Sequence, residues 1–257
     1  MKRLLALLLA LIFASASLFV SVSADETAHS WYVTRNKDHR QPAADPAFLK
    51  MDHEGTFYVD THSATCGDGK VAYLTFDAGY ENGNVEKIVD ILNEEGVTGA
   101  FFVLTHFIRR NGALCKKMQE SGHLLCNHSD LHKDMSCMGK EAFSKELCAV
   151  EDACMEATGK PLSKYFRPPE GRYSEKTLAL AREFGYKTVF WSFAYADWDN
   201  EDQPPKDASL RKIKDNLHPG IILLLHPTSD TNVQLLRELI RDMKAEGYRF
   251  ASLDELE

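Results

Sequence analysis

The stretch that decides the fold is residues 70–103, KVAYLTFDAGYENGNVEKIVDILNEEGVTGAFFV. Its first apolar run, VAYLTF, has strand character and leads directly to Asp77. Within residues 85–92 the apolar positions are spaced i, i+3, i+4 and i+7, which places them on one face of a helix. Gly96 then supplies a helix C-terminal cap, and GAFFV reads as a second strand. The stretch therefore predicts a strand–helix–strand unit of a parallel sheet covered by helices.

The same unit recurs along the chain. Helical patterns near 112–121 and 140–158, from Ser174 to Phe184 and around 236–243 each end at a glycine before another apolar run. Charged residues follow several of these runs, which favours a barrel over an open doubly wound sheet. Residues 199–218 break the pattern and predict a loop and a helix. We therefore predict an α/β fold, a distorted or incomplete (β/α) barrel of parallel strands forming a single domain over residues 68–257.

The first 24 residues predict a secretory signal peptide. Lys2 and Arg3 precede an apolar stretch, and Val22-Ser23-Ala24 resembles a signal-peptidase site. An uncleaved anchor is the alternative. Cleavage after Ala24 leaves a secreted, extracytoplasmic protein without stable membrane insertion.

Residues 25–67 are polar and irregular, and we expect an N-terminal extension packed on the barrel through Trp31 and Tyr32. The net charge of −8 gives no general attraction for nucleic acid or an anionic membrane. We expect a monomer.

The six cysteines are interpreted as buried free thiols rather than disulfides. Cys148 and Cys154 share one predicted helix and cannot reach each other, and Cys126 lies inside an apolar strand. No CxxC pair indicates a thiolate metal site. Cys66, Cys115 and Cys137 complete the set.

The sharpest metal signal is His128 and His132. Four residues apart on a helical turn, two imidazoles lie on one side and can share a divalent ion such as Zn²⁺. The spacing alone is equally consistent with one buried and one surface histidine. Their position after a strand, beside other reactive residues, favours a metal site.

Asp77 and His226 follow apolar runs and form a candidate acid–base pair. A carboxylate in a pocket can take a proton from water, and a histidine can protonate a leaving group near neutral pH. Helix capping for Asp77 and a core position for His226 are the alternatives.

Arg167 and Asp197 could support that pair, because Arg167 could hold Asp77 ionised and Asp197 could orient His226. A structural salt bridge joining Arg167 to Asp197 remains open. Backbone N–H groups near Glu170 and Gly171, in the rigid RPPEG segment, could stabilise an oxyanion.

Trp198 offers a flat face for a sugar ring. Trp191, Phe193 and Tyr195 alternate as on one strand face, and we expect them in the core.

These segments stand in the order of the five motifs of the polysaccharide deacetylase family, carbohydrate esterase family 4, with its NodB homology domain. The matching segments are TFDAG at 75–79, HSDLH at 128–132, RPPEG at 167–171, Asp197-Trp198 and LLLH at 223–226. The resemblance covers residues 68–256. The extended FDAGYENG segment, which adds Tyr80 as a substrate-contact candidate, is similar to the delta-lactam-biosynthetic N-acetylmuramic acid deacetylases.

The resemblance implies a deacetylase of N-acetylated sugars with Asp77 as base and His226 as acid. It implies that His128 and His132 bind the metal, that Arg167 and Asp197 tune the pair, and that the Glu170 N–H binds the oxyanion. The family's additional aspartate ligand is replaced by Ala78. The subgroup often lacks this aspartate too, and its absence leaves the identity of the metal open.

The sequence therefore predicts a secreted, metal-assisted deacetylase of peptidoglycan muramic acid, linked to muramic delta-lactam formation in spore cortex. Its expected partners are glycan strands. A deacetylase of chitin-like N-acetylglucosamine polymers and a non-catalytic wall-binding module are the alternatives. A glycosidase using Asp77 and Asp197 would leave the paired histidines unexplained.

Overall fold

The computed structural model describes residues 26–65 and 69–256, so the predicted signal peptide and Cys66 lie outside the described residues. A main sheet of eight strands carries the fold. Its strands, in chain order, are β4 (Thr56–Phe57), β5 (Lys70–Ala78), β6 (Gly99–Val103), β7 (Leu124–Asn127), β8 (Ser163–Phe166), β10 (Lys187–Val189), β11 (Ile221–Leu225) and β12 (Tyr248–Phe250). Two small antiparallel pairs are built from β1 (His29–Ser30) with β9 (Arg172–Tyr173) and from β2 (Val33–Thr34) with β3 (Ala43–Ala44).

All pairings within the main sheet are parallel, in the order β11-β5-β6-β7-β8-β10-β4, with β12 also paired to β5. The sheet curls into a half-barrel, which confirms the predicted fold class. Strand β4 comes from the N-terminal segment, and just beyond it Val59 bridges Ile221 at the other end of the sheet. The N-terminal segment therefore closes the gap between the two sheet ends, a contribution that its polar sequence did not indicate.

Gly220 makes this closure possible. Its φ of +76° lies in the left-handed region, and a Cβ added there would lie 2.1 Å from the Asp60 carbonyl oxygen. The Asp60 N–H donates to the Gly220 carbonyl at 2.9 Å. Only glycine allows the two backbones to approach this closely.

Helices cover the outside of the sheet. They are α1 (Thr61–Thr65), α2 (Val85–Glu95), α3 (Thr105–Arg110), α4 (Gly112–Glu120), α5 (Lys140–Thr158), α6 (Glu175–Glu183), α7 (Lys206–Lys214) and α8 (Asp230–Ala245), with 3-10 turns at Phe48–Lys50, Pro169–Gly171 and Leu253–Glu255. Helix α7 occupies the irregular region, where a loop and a helix were predicted. Ser174 is the N-cap of α6, where its hydroxyl accepts the Thr177 N–H in a capping box.

The chain between β10 and α7 does not form the strand that the alternation of Trp191, Phe193 and Tyr195 predicted. Strand β10 ends at Val189, and residues 190–198 run beside β11 without a regular ladder. The Ser192 and Phe193 N–H groups both donate to the Ile222 carbonyl, which disrupts strand pairing at that point. Phe193 is buried in the core as expected, but Trp191 is only partly buried and faces the cavity described below. Placing Trp191 in the core was wrong.

Trp31 fixes the N-terminal segment to the sheet. Its ring stacks on Phe190 at 4.4 Å and its Nε1–H donates to the Trp191 carbonyl at 2.9 Å. Tyr32, the other expected anchor, is 51% exposed, and its hydroxyl donates to Asp45 Oδ1. Trp31 is therefore the anchor of this pair.

The described cysteines are all free, as predicted, but they are not all buried. Cys115, Cys126 and Cys154 lie in the core, whereas Cys137 and Cys148 are exposed. Among the described helices, none combines the length and the apolar character needed to cross a bilayer.

Candidate active site

A cavity of about 650 Å³ lies at the carboxyl ends of the strands. It collects residues that are far apart in the chain, and Arg167 and Asp197 are the only predicted site residues that do not line it. The predicted site residues in its lining are Asp77, Tyr80, His128, His132, Glu170, Gly171, Trp198 and His226. Arg167 and Asp197 are buried directly behind Asp77 and His226.

Asp77 stands near the end of β5 and is held by Arg167. The Arg167 guanidinium is fully buried and donates to Asp77 Oδ1 at 2.8 Å. Its other N–H groups donate to Thr75 Oγ1 and to the carbonyls of Val189 and Phe190. Burial raises the pKa of Asp77, but the charges of Arg167, His128 and His226 and the hydrogen bond from Arg167 together outweigh it, and the pKa is lowered. The carboxylate is therefore ionised and fixed in direction.

His128 and His132 lie on an irregular loop after β7, so the predicted helical turn was wrong. Ser129 and His132 have left-handed φ values of 75° and 54°. The buried carboxylate of Glu146 on α5 accepts the N–H groups of Asp130 and Leu131, both at 3.0 Å. These contacts satisfy the backbone groups that a helix would have paired internally. The loop still brings the two imidazole rings together, with centroids 5.0 Å apart.

The histidine pair fits a divalent cation. His128 Nδ1 lies 2.8 Å from the Arg167 carbonyl, an acceptor, so Nδ1 carries the proton and the Nε2 lone pair is free. Nε2 lies 3.5 Å from Asp77 Oδ2, on the cavity side. Burial lowers the pKa of His128 to about 4, which keeps the imidazole neutral, as a ligand must be. No group of three metal-binding side chains occurs in residues 26–65 and 69–256, and Ala78 supplies no ligand atom.

His226 and Asp197 form the second pair. His226 Nδ1 donates to Asp197 Oδ1 at 2.7 Å, and the His226 backbone N–H donates to Oδ2 at 2.9 Å. Asp197 is fully buried, whereas the His226 side chain is 24% exposed towards the cavity. Burial opposes the charged imidazolium, but the hydrogen bond and charge of Asp197 outweigh it and raise the pKa of His226. The imidazole can therefore carry a proton on Nε2 near neutral pH.

Asp197 does not lie at the exit of a strand, since β10 ends at Val189. It ends the irregular segment after β10 and reaches the cavity because that segment follows β11. The alternative of a bridge between Arg167 and Asp197 is excluded, since Arg167 pairs with Asp77 and Asp197 pairs with His226.

The RPPEG segment turns sharply beside the cavity. Glu170 has a left-handed φ of 56°, a strained conformation for a residue other than glycine. The Gly171 N–H donates to the Pro168 carbonyl at 3.0 Å, so it is not available for an oxyanion. This corrects the expectation for Gly171 and leaves the Glu170 N–H as the candidate donor.

Aromatic rings border the opening. Tyr80 is 48% and Trp198 60% exposed, and the Trp198 ring lies 6.1 Å from the His226 ring. The Tyr80 hydroxyl accepts a hydrogen bond from Asn200. Together with Trp191 these side chains form an apolar surface suited to sugar rings.

Thr75 and Asn232 were missed from the sequence, whereas Tyr195, like Trp191, was interpreted only as core. Thr75 accepts from Arg167 and donates to the Leu223 carbonyl at 2.6 Å. The sequence could have indicated Thr75, because residues two positions apart on a strand lie on the same face and Thr75 precedes Asp77 by two. Asn232 donates to Asp197 and to the His226 carbonyl, and Tyr195, which also lines the cavity, hydrogen-bonds to Asn232. The spacing of these two residues in the sequence carries no such signal.

Comparisons with known proteins agree with this geometry. The family model for polysaccharide deacetylase matches residues 64–189. The chain is 37% identical over 228 residues to peptidoglycan-N-acetylmuramic acid deacetylase PdaA of Bacillus subtilis, covering 88% of this chain and 85% of PdaA. It is 39% identical over 243 residues to an uncharacterized 30.6 kDa protein of Geobacillus stearothermophilus, covering 93% and 90% of the two chains.

Solved structures show the same fold. The structure of Bacillus subtilis PdaA, a family 4 carbohydrate esterase, superposes with a TM-score of 0.84 at 36% identity, covering 90% of this chain and 97% of that one. A family 4 carbohydrate esterase from Bacillus anthracis gives 0.74 at 37% identity, covering 91% and 98%. This chain therefore belongs to the polysaccharide deacetylase family and is a hydrolytic de-N-acetylase.

Proposed function

We propose that this protein is an exported, metal-assisted deacetylase of N-acetylmuramic acid residues in peptidoglycan. The observation that carries the proposal is the pairing of Asp77 with Arg167 and of His226 with Asp197 on one cavity that also holds two histidines. A proton acceptor, a proton donor and candidate metal ligands thus surround one small space. The similarity to PdaA supports muramic acid as the substrate.

In the proposed reaction Asp77 takes a proton from the water that attacks the acetamide carbonyl. The Glu170 N–H stabilises the oxyanion that forms. His226 gives its Nε2 proton to the amine as the carbon–nitrogen bond breaks, and the products are acetate and the free amine. A divalent cation held by His128 and His132 supplies Lewis-acid polarisation when bound.

The amine product explains the proposed link to lactam formation in spore cortex. On a muramic residue without its peptide stem, the new amine lies beside the free lactyl carboxyl of the same sugar. Condensation of the two groups, with loss of water, gives the six-membered delta-lactam. Deacetylation therefore has to precede ring closure, because it releases the amine that reacts with the carboxyl group.

The test compares glycan strands stripped of peptide stems with intact peptidoglycan and chito-oligosaccharides. Acetate release is followed, and mass spectrometry locates the free amine. We expect acetate from the stripped strands, with the amine on muramic acid. Asp77→Asn should abolish release, while Asp199→Asn, which changes an exposed carboxylate, should not.

Three outcomes separate the alternatives. Activity on chito-oligosaccharides alone selects the N-acetylglucosamine deacetylase. Glycan binding without acetate release, unaffected by a chelator, selects a wall-binding module. Wild-type rates for Asp77→Asn overturn the mechanism. Export is tested separately, since cleavage after Ala24 gives a mature protein that begins at Asp25.

A further inference from the structure

A buried side-chain amide contacts both members of the Asp197–His226 pair. Asn232, in the first turn of α8, donates from Nδ2 to Asp197 Oδ2 at 2.6 Å and to the His226 carbonyl at 2.9 Å. Asn232 is completely buried. One NH₂ group therefore contacts both members of the pair.

Tyr195 determines which way this amide points. Its hydroxyl hydrogen-bonds to Asn232 Oδ1, which directs the NH₂ end towards Asp197. A flipped amide would instead place its oxygen against the Asp197 carboxylate and leave that carboxylate with one donor fewer. Tyr195 is 6% exposed, so little water can replace its hydroxyl.

Fixing Asp197 also fixes His226. The Asp197 carboxylate accepts one bond from the imidazole, one from the His226 backbone and one from Asn232. If the hydrogen bond from the Asn232 amide is lost, the carboxylate keeps only the two bonds from His226 itself, and Asp197 and the imidazole can then shift together. The Nε2 proton then no longer points at the departing amine, although the cavity that binds the sugar is unchanged.

We propose that Asn232, oriented by the Tyr195 hydroxyl, is a positioning residue that acts on the reaction through His226. The inference rests on the proposed role of His226 as the acid. It predicts an effect on turnover rather than on substrate binding, and it predicts that the effect depends on the presence of the imidazole.

The experiment measures kcat and KM for acetate release by Asn232→Ala and Tyr195→Phe, each also in a His226→Ala background. Thr231→Val is the matched control, because Thr231 is buried in the same helical turn but bonds to the Pro204 carbonyl. Loss of a hydrogen bond to a charged group predicts a fall in kcat of about 10- to 100-fold for Asn232→Ala. Tyr195→Phe should lose roughly 3- to 10-fold, with KM little changed for both variants.

In the His226→Ala background neither variant should lower the residual rate further. A second readout needs no activity: the His226 Nδ1–H proton, shared with a carboxylate, should give a downfield NMR resonance that broadens or disappears in both variants and persists in Thr231→Val. Tyr195→Phe removes only an oxygen, so it provides the test if Asn232→Ala does not fold.

The inference is overturned if Asn232→Ala and Tyr195→Phe match Thr231→Val, or if they lower the rate equally with and without the imidazole. If His226→Ala itself keeps the wild-type rate, the proposed function fails instead. The two failures are thus distinguishable.

Discussion

Replacing Arg167 by lysine tests how much the buried hydrogen bonds of the arginine contribute to stability and activity. The arginine makes four side-chain hydrogen bonds, to Asp77, to Thr75 and to two backbone carbonyls, in a fully buried position. Lysine keeps the charge but is a compact donor that cannot span both sides of this space. The carbonyls of Val189 and Phe190 would then be left unsatisfied.

The magnitude follows from those two carbonyls. Each buried acceptor without a partner costs about 1–3 kcal/mol, so Arg167→Lys should lower the free energy of unfolding by about 2–6 kcal/mol. For a chain of this size the midpoint temperature should fall by at least about 5 °C. The weakened hold on Asp77 should cost a further ~2 kcal/mol in the barrier, or roughly 30-fold in kcat.

The assay combines denaturant unfolding with acetate release measured well below the midpoint temperature. Arg182→Lys is the control, since the Arg182 pair with Asp52 is exposed and should contribute under about 1 kcal/mol. If Arg167→Lys is as stable and as active as Arg182→Lys, the buried hydrogen bonds do not hold the site as argued.

Three other substitutions test the acid, the closure of the sheet and the metal site. Asp197→Asn removes the charge that raises the pKa of His226, so burial should lower that pKa. The basic limb of the kcat–pH profile should then move to lower pH. A limb that does not move would contradict the role of His226 as the acid. Gly220→Ala forces a Cβ against the Asp60 carbonyl and should lower the free energy of unfolding by about 2 kcal/mol or more in denaturant titrations, whereas unchanged stability would refute the closure argument. His132→Ala should weaken Zn²⁺ binding in calorimetry at least about 10-fold, and equal affinity in the wild type and the variant would remove His132 from the metal site.

The sequence by itself determined the repeating helix–glycine–strand architecture. Apolar periodicity, the Ser174 cap and the glycine stops are local signals, because they depend on neighbours within one or two turns. The chemical types of the site residues were also readable. Charge complementarity allowed the pairings of Asp77 with Arg167 and of Asp197 with His226, but it equally allowed a bridge between Arg167 and Asp197, and only the structure decides between them.

Tertiary structure decided how those residues are held. The HSDLH segment is irregular because Glu146, distant in sequence, accepts its backbone N–H groups. Asp197 reaches the cavity along β11 instead of at a strand exit, and the N-terminal strand β4 completes the sheet. The amide of Asn232 takes its direction from Tyr195. Each of these contacts joins segments far apart in the chain, so its geometry depends on how the sheet curls and has no periodic or compositional trace in the sequence.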